Sequence, residues 1–188
     1  MRFYFLNGFP LQGDHQVQYS VLDRRPSHGM ADLCGTHGIR LLTYGALAGG
    51  FLSERWLGQP EPNEPLENRS LVKYHLIIQE FGGWARFQSL LGEMDRIARR
   101  HHTTIGAIAV RWTLDQPGVA GVIVGARHAG HLAHTVAATS VTLDDHDRAA
   151  IAAIQVGAPG PDGDVYDLER VAGGRHAGIM RYNLNEHA

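Results

Sequence analysis

Tyr44 and the residues after it are the part of the chain best suited to hold a flat ligand. Gly45, Ala46, Ala48, Gly49 and Gly50 follow the aromatic at once, with Leu47 among them. An aromatic ring offers a stacking face, and residues with little side chain let a backbone approach a bound molecule closely. The run reads equally as a strand-to-helix turn that needs flexible residues, and both readings stand at this point. A second candidate is Gly125-Ala126-Arg127. Free N–H groups at the start of a following helix, with a guanidinium beside them, make a seat for phosphate. A solvated surface arginine explains the same residues.

Other chemistry-bearing groups read more plainly. His128, His131 and His134 recur every third residue, and His101 and His102 are adjacent. Steps of three drift about 60° around a helix, so the three do not converge on one ion. No cysteine or carboxylate joins them at zinc spacing, so no metal site is expected. Cys34 lies in an apolar helical pattern and reads as a packed core thiol. Ser20 and Ser53 lack the Gly-x-Ser-x-Gly setting of an activated nucleophile. Asp144, Asp145 and Asp147 suit a helix start, and His176 reads as a packing residue of a loop. The one lysine, Lys73, falls within a helical pattern and not at a strand end.

The elements that position these groups follow from periodicity and breakers. Arg2–Phe9, Gln16–Ser20, the apolar run from Ile39 to Tyr44, and Val119–Val124 read as strands. Asp23-Arg24-Arg25-Pro26 breaks the second of them. Ser27 is expected to cap a helix over Met30–His37, with Met30, Leu33, Cys34 and His37 inward and Gly38 just past its end. Phe51–Trp56 reads as one or two helical turns, and Gly58–Asn68, with Pro60, Pro62 and Pro65, as a long loop. Ser70–Phe81 and Trp84–Arg100 carry amphipathic helical spacing. Thr103 or Thr104 caps a helix that ends before Pro117. Ala129–Ala138 and a segment capped by Asp144 through Ile154 complete the helices, and Gln155–Ala188 shows no clear period. Alternation of apolar strands with helices predicts a parallel sheet covered by helices, with ligand groups at the strand ends.

Three linked stretches resemble the aldo-keto reductase family in order and spacing. Gln16-Val17-Gln18-Tyr19-Ser20-Val21-Leu22-Asp23-Arg24-Arg25-Pro26 is similar to that family's sixth strand and turn. Gly38–Gly50 is similar to its seventh strand and loop, and Gln116–Arg127 to its eighth strand and cofactor loop. Leu66–Trp84 and Gly174–Met180 resemble one branch of the family. The resemblance covers about 16–154. It implies an α/β fold: part of a (β/α)8 TIM barrel, its C-terminal three to four β/α units, with a long helical loop insertion and an irregular tail. In domain terms, 1–14 is unassigned, 15–155 is the partial oxidoreductase domain and 156–188 is a tail. The resemblance further implies NADPH-dependent reduction of aldehydes and ketones. Gln16 matches the residue that hydrogen-bonds the nicotinamide carboxamide, and Tyr44 the aromatic that stacks on the nicotinamide. Gly45, Ala46, Leu47 and Ala48 match the loop beside the pyrophosphate, often written Ser-Pro-Leu. Gly125, Ala126 and Arg127 match the loop around the adenosine 2′-phosphate, with His131 and Thr135 departing from the usual Gln and Asn.

The family's catalytic Asp, Tyr, Lys and His come from its first four strands. No Asp-to-Tyr pair at that spacing precedes Gln16, so no catalytic residue is assigned and little turnover by this chain alone is expected. A carbonyl substrate is then expected only where another chain completes the site. The alternative is an inactive, truncated or partner-dependent nucleotide-binding fragment. Three or four strands cannot close a barrel, and exposed strand edges invite self-association. In composition, 188 residues with 44% hydrophobic and 19% charged fit an ordered domain. A net charge of −2 predicts no nucleic-acid partner. No apolar run reaches a membrane span, and Met1–Leu11 lacks a leader's cleavage pattern. With one cysteine, these features point to the cytoplasm.

Overall fold

The computed structural model describes residues 13–63, 65–125 and 132–179, the His134 side chain excepted. The expected strand at Arg2–Phe9 lies outside these residues. Three strands are described: β1 (Asp14–Gln18), β2 (Arg40–Tyr44) and β3 (Val119–Ile123). They pair in parallel in the order β1-β2-β3. Between β1 and β2 runs α1 (Met30–Thr36). Between β2 and β3 run α2 (Arg69–Phe81), α3 (Gly83–Arg100) and α4 (Ile105–Leu114). After β3 come α5 (Leu132–Ala137) and α6 (Asp145–Gln155).

Helix starts follow local chemistry. Asn68 accepts a hydrogen bond from Leu71 N–H at 3.0 Å and opens α2. Thr104 does the same for α4, and Asp144 with Asp147 forms a reciprocal capping box on α6. Asp147 is also buried against Arg100 and His101, so the same carboxylate ties α6 to α3. The start of α1 corrects the sequence reading. Ser27 closes a short 3-10 turn, its hydroxyl donating to Arg24 C=O at 2.6 Å, and left-handed Gly29 precedes the helix instead. With the helix turned this way, Ala31 and Cys34 face inward, while Leu33 and His37 stand in solvent. Gly38 does lie just past the helix in the left-handed region, at φ +67°. Within Phe51–Trp56 one helical turn forms, a 3-10 turn at Glu54–Trp56, and another precedes the segment at Ala48–Gly50.

The sheet is two-sided. Val17, Tyr19, Leu41 and Thr43 are fully buried beneath the helices. Their neighbours in the alternation, Asp14, Gln16 and Arg40, are exposed, and Leu42 and Tyr44 are half-buried. The core joins this inner face to Phe51, Phe81, Phe87, Leu90, Leu91, Met94, Ile97 and Ile108.

The turn after β1 is an anchor more than a breaker. Asp23 is fully buried and Arg25 nearly so, with Arg25 Nη2 2.7 Å from Asp23 Oδ2. Arg25 Nε donates to Asp23 Oδ1 at 2.9 Å, and Gln18 Nε2 to Asp23 Oδ2 at 2.7 Å. Burial alone would lower the Arg25 pKa, but its bonds to Asp23 and their mutual attraction raise it above the ordinary arginine value. Removing one member of such a pair leaves a buried charge uncompensated. Asp23→Ala is expected to cost about 3–5 kcal/mol in urea unfolding, and Asp23→Ala with Arg25→Ala less than the two single losses added.

Candidate ligand site at the strand ends

Parallel register brings the strand ends level: Gln18 pairs with Tyr44, and Tyr44 with Ile123. Two residues back, Gln16 pairs with Leu42, and Leu42 with Gly121. Gln16 and Tyr44 therefore share the sheet face that the helices leave open. Gln16 is exposed there, while Gln18 is bound into the Asp23 turn. Ile123 ends the face 44% exposed.

The loop after Tyr44 is shaped by α2. Gly45 has φ +79°, and a Cβ at that position would lie 2.5 Å from the Tyr74 hydroxyl. Gly49 has φ +66°, with its nearest neighbour also in Tyr74. Both glycines are required twice over, by backbone conformation and by the tyrosine ring. Ala46 and Ala48 are buried, Leu47 packs against the core, and Gly49 and Gly50 face solvent. Beyond them, Glu54 Oε1 accepts the Ile105 N–H at 2.6 Å, fastening the loop to the start of α4. Trp56, Trp84, Phe87 and His75 pack around Phe51 and hold the loop's far side.

Electrostatically, Tyr44 sits among charges. Lys73 Nζ lies over its ring, 5.6 Å from the centroid, and 5.8 Å from that of Tyr74. Lys73 pairs with Glu169 at 2.5 Å. Burial, with the nearby negative charge of Glu169, pushes the Tyr44 hydroxyl up to about 12. Burial raises Tyr74 further. The C-terminal segment reaches the same place: the Tyr166 hydroxyl donates to the Gln16 carbonyl and lies 3.0 Å from His15 Nε2.

Of the sequence candidates, Gln16, Tyr44, Gly45, Ala46, Leu47 and Ala48 are thus gathered at one end of the β1–β2 pair. Gly125 lies exposed two residues beyond β3. Ala126 and Arg127 lie outside the described residues. Lys73, Tyr74 and Glu169 were missed as members of the site. Helical spacing marked Lys73 and Tyr74 only as α2 residues, and nothing local in the tail signals that Glu169 folds back onto them. Cys34 and His176 behave as read: the thiol is buried and its pKa raised by burial, and His176 packs with a 2.8 Å hydrogen bond to Glu80. A cavity of about 330 Å³ is lined by Trp112, Asp115, Gln116 and Arg148 among others. Its Asp115 is already paired with Arg111 and Arg148.

The profile of the Aldo/keto reductase family matches residues 14–156, most of the chain and all three strands. The chain belongs to the aldo/keto reductase family. It is 24% identical over 132 residues to the NADH-specific methylglyoxal reductase of Escherichia coli, covering 70% of this chain and 38% of that protein. Over 103 residues it is 35% identical to flagellar radial spoke protein 5 of Chlamydomonas reinhardtii, covering 53% of this chain and 19% of that protein. Among solved structures, the glycerol dehydrogenase of Gluconobacter oxydans superposes with a TM-score of 0.64 at 22% identity, covering 80% of this chain and 44% of that one. An aldo-keto reductase from Bacillus halodurans gives 0.54 at 22%, covering 82% and 45%. The chain therefore spans less than half the length of each of these proteins. Its three parallel strands and flanking helices have the α/β fold of that family.

Two outcomes test the site's physics. Gly45→Ala meets both a left-handed backbone and the Tyr74 hydroxyl, and is expected to cost about 1–3 kcal/mol in chemical unfolding. Adding Tyr74→Phe, which removes the nearest atom, should return part of that loss. For Tyr44, the folded state favours the neutral phenol. Its contribution is full below pH 10, the ordinary tyrosine value, and falls as pH rises toward 12. Tyr44→Phe should therefore flatten the stability-versus-pH curve between those values, by at most about 2 kcal/mol given the screening of a half-exposed ring.

Proposed function

We propose that this chain carries the nicotinamide side of an NADPH-dependent aldehyde or ketone reductase, and that it does not complete the reaction by itself. The observation that carries this reading is Tyr44. Its half-buried ring stands at the end of the middle strand, with the Gln16 amide on the same open face and a loop of small residues beginning at its own carbonyl. In this reading Tyr44 stacks on the nicotinamide and Gln16 holds its carboxamide. Gly45, Ala46, Leu47 and Ala48 follow the pyrophosphate, and Gly125, Ala126 and Arg127 receive the 2′-phosphate.

NADPH, when bound, supplies a hydride to the carbonyl carbon. The carbonyl oxygen then needs a proton, and efficient donors have a pKa near the working pH. Tyr44, Tyr74 and Tyr166 have theirs raised, by burial first, that of Tyr44 to about 12, and so hold their protons at neutral pH. Lys73 is engaged with Glu169. This favours a donor supplied by residues beyond the strand ends described, on further barrel strands or a partner chain. The small-molecule carbonyl substrate then belongs to the completed assembly. The same observation supports a second reading, a nucleotide-binding fragment without activity.

Fluorescence titration with NADPH separates these readings from a purely structural role. Saturable binding that Tyr44→Ala weakens by about fivefold or more is the expected result, since a lost aromatic stack is of order 1 kcal/mol or above. Turnover of a small aldehyde such as methylglyoxal is expected to stay at background for the chain alone. Normal cooperative unfolding with no NADPH binding at millimolar concentration would remove the cofactor reading. Rapid turnover by the isolated chain would remove the need for a partner.

A further inference from the structure

The C-terminal segment crosses the strand-end site instead of trailing from it. Arg24 donates to Ala158 C=O at 2.6 Å and Arg25 to Asp164 C=O at 3.2 Å. Tyr166 then bonds the Gln16 carbonyl, and His176 ends the crossing on Glu80 of α2. Between these fastenings lies Glu169, whose carboxylate sits on Lys73 against the Tyr44 and Tyr74 rings. Both side chains are largely shielded, 16% exposed for Lys73 and 12% for Glu169. The backbone around them, at Asp167, Arg170 and Val171, is at the surface.

We propose that Lys73 is the anion contact of the ligand bound against Tyr44, and that Glu169 holds that contact until the ligand's own phosphate or carboxylate replaces it. The proposal rests on the cofactor reading above for the identity of the ligand, and adds its anion contact and its internal competitor. Three observations carry it. The ammonium lies 5.6 Å from the centroid of the Tyr44 ring, so a ligand stacked on that ring comes within reach of Lys73. Glu169 is the carboxylate that holds Lys73, at 2.5 Å, so an incoming anion competes with Glu169 for the ammonium. One anion replacing another also leaves the shielded ammonium paired throughout, which avoids the cost of an uncompensated charge. The crossing segment is irregular from 156 to 176. Between its fastenings at Tyr166 and His176, exchange of the ion pair requires no helix or strand to unfold.

The test uses the full chain as wild type, Glu169→Gln, Lys73→Gln and the double variant, each first shown to unfold cooperatively. NADPH and inorganic pyrophosphate are the probes. Glu169→Gln should bind NADPH about tenfold more tightly than wild type, because the competing contact is weakened. Lys73→Gln and the double variant should bind more weakly than Glu169→Gln. In wild type, saturating NADPH should speed tryptic cleavage after Arg170. Equal NADPH affinity in wild type and Glu169→Gln overturns the proposal while leaving the cofactor reading intact. Where no variant binds NADPH, the cofactor reading fails and pyrophosphate decides. Binding to Glu169→Gln that Lys73→Gln abolishes upholds the anion contact, and its absence overturns it.

Discussion

The Asp23–Arg25 pair is the constraint on which the rest of the arrangement hangs. A carboxylate with no exposure is tolerable only when its charge is met on the spot. Here it is met by a guanidinium two residues away and by the amide of Gln18 on the strand before it. That fixes the end of β1 and, through the register, the level of Tyr44. The same turn turns Arg24 and Arg25 toward the C-terminal segment, whose carbonyls they hold. Strand end, aromatic and tail are therefore set by one desolvated interaction. The four residues that look in sequence like a simple break are the joint between the sheet and everything laid over it.

Much of this was legible in the sequence, for identifiable reasons. The apolar runs around Leu41 and Val119, the spacing of Phe87, Leu90, Leu91, Met94 and Ile97, and the capping residues at 104 and 144 are local signals. The fold obeys them. Tyr44 was recognisable because an aromatic followed by small residues is unusual. The failures are of another kind. Ser27 was a sound cap by type, but its hydroxyl closes an earlier turn, and Gly29 sets the phase of α1, moving Leu33 outward. Glu169 meets Lys73 across 96 residues, and no periodicity in an irregular tail reports a contact at that separation.

Gly45 shows how one substitution travels with another. Where the family resemblance leads one to expect serine, the space beside the backbone holds the Tyr74 ring, and the chain turns with positive φ. The missing side chain on the loop is thus matched by a large one on α2. Tyr74 in turn holds Lys73 near the strand ends, since both rings flank the ammonium. The loop's smallness and the charge near it belong to one packing solution.

The order of the strands also has a temporal side. Of the described strands, β2 is made after β1, so one of its neighbours is already present when it emerges. β1, α1 and β2 lie within residues 14–44, so this pair can form over a short loop. The other edge of β2 must wait through three helices before β3 arrives, a closure with a larger entropic cost. During that wait the backbone groups of β2 on that side are open to any extended segment nearby. The helices that delay β3 are also those that build the core, so a nascent chain packs much of its core before β3 joins the sheet. Conditions that slow α2–α4 would lengthen the life of a two-stranded intermediate, the species with most reason to need a chaperone.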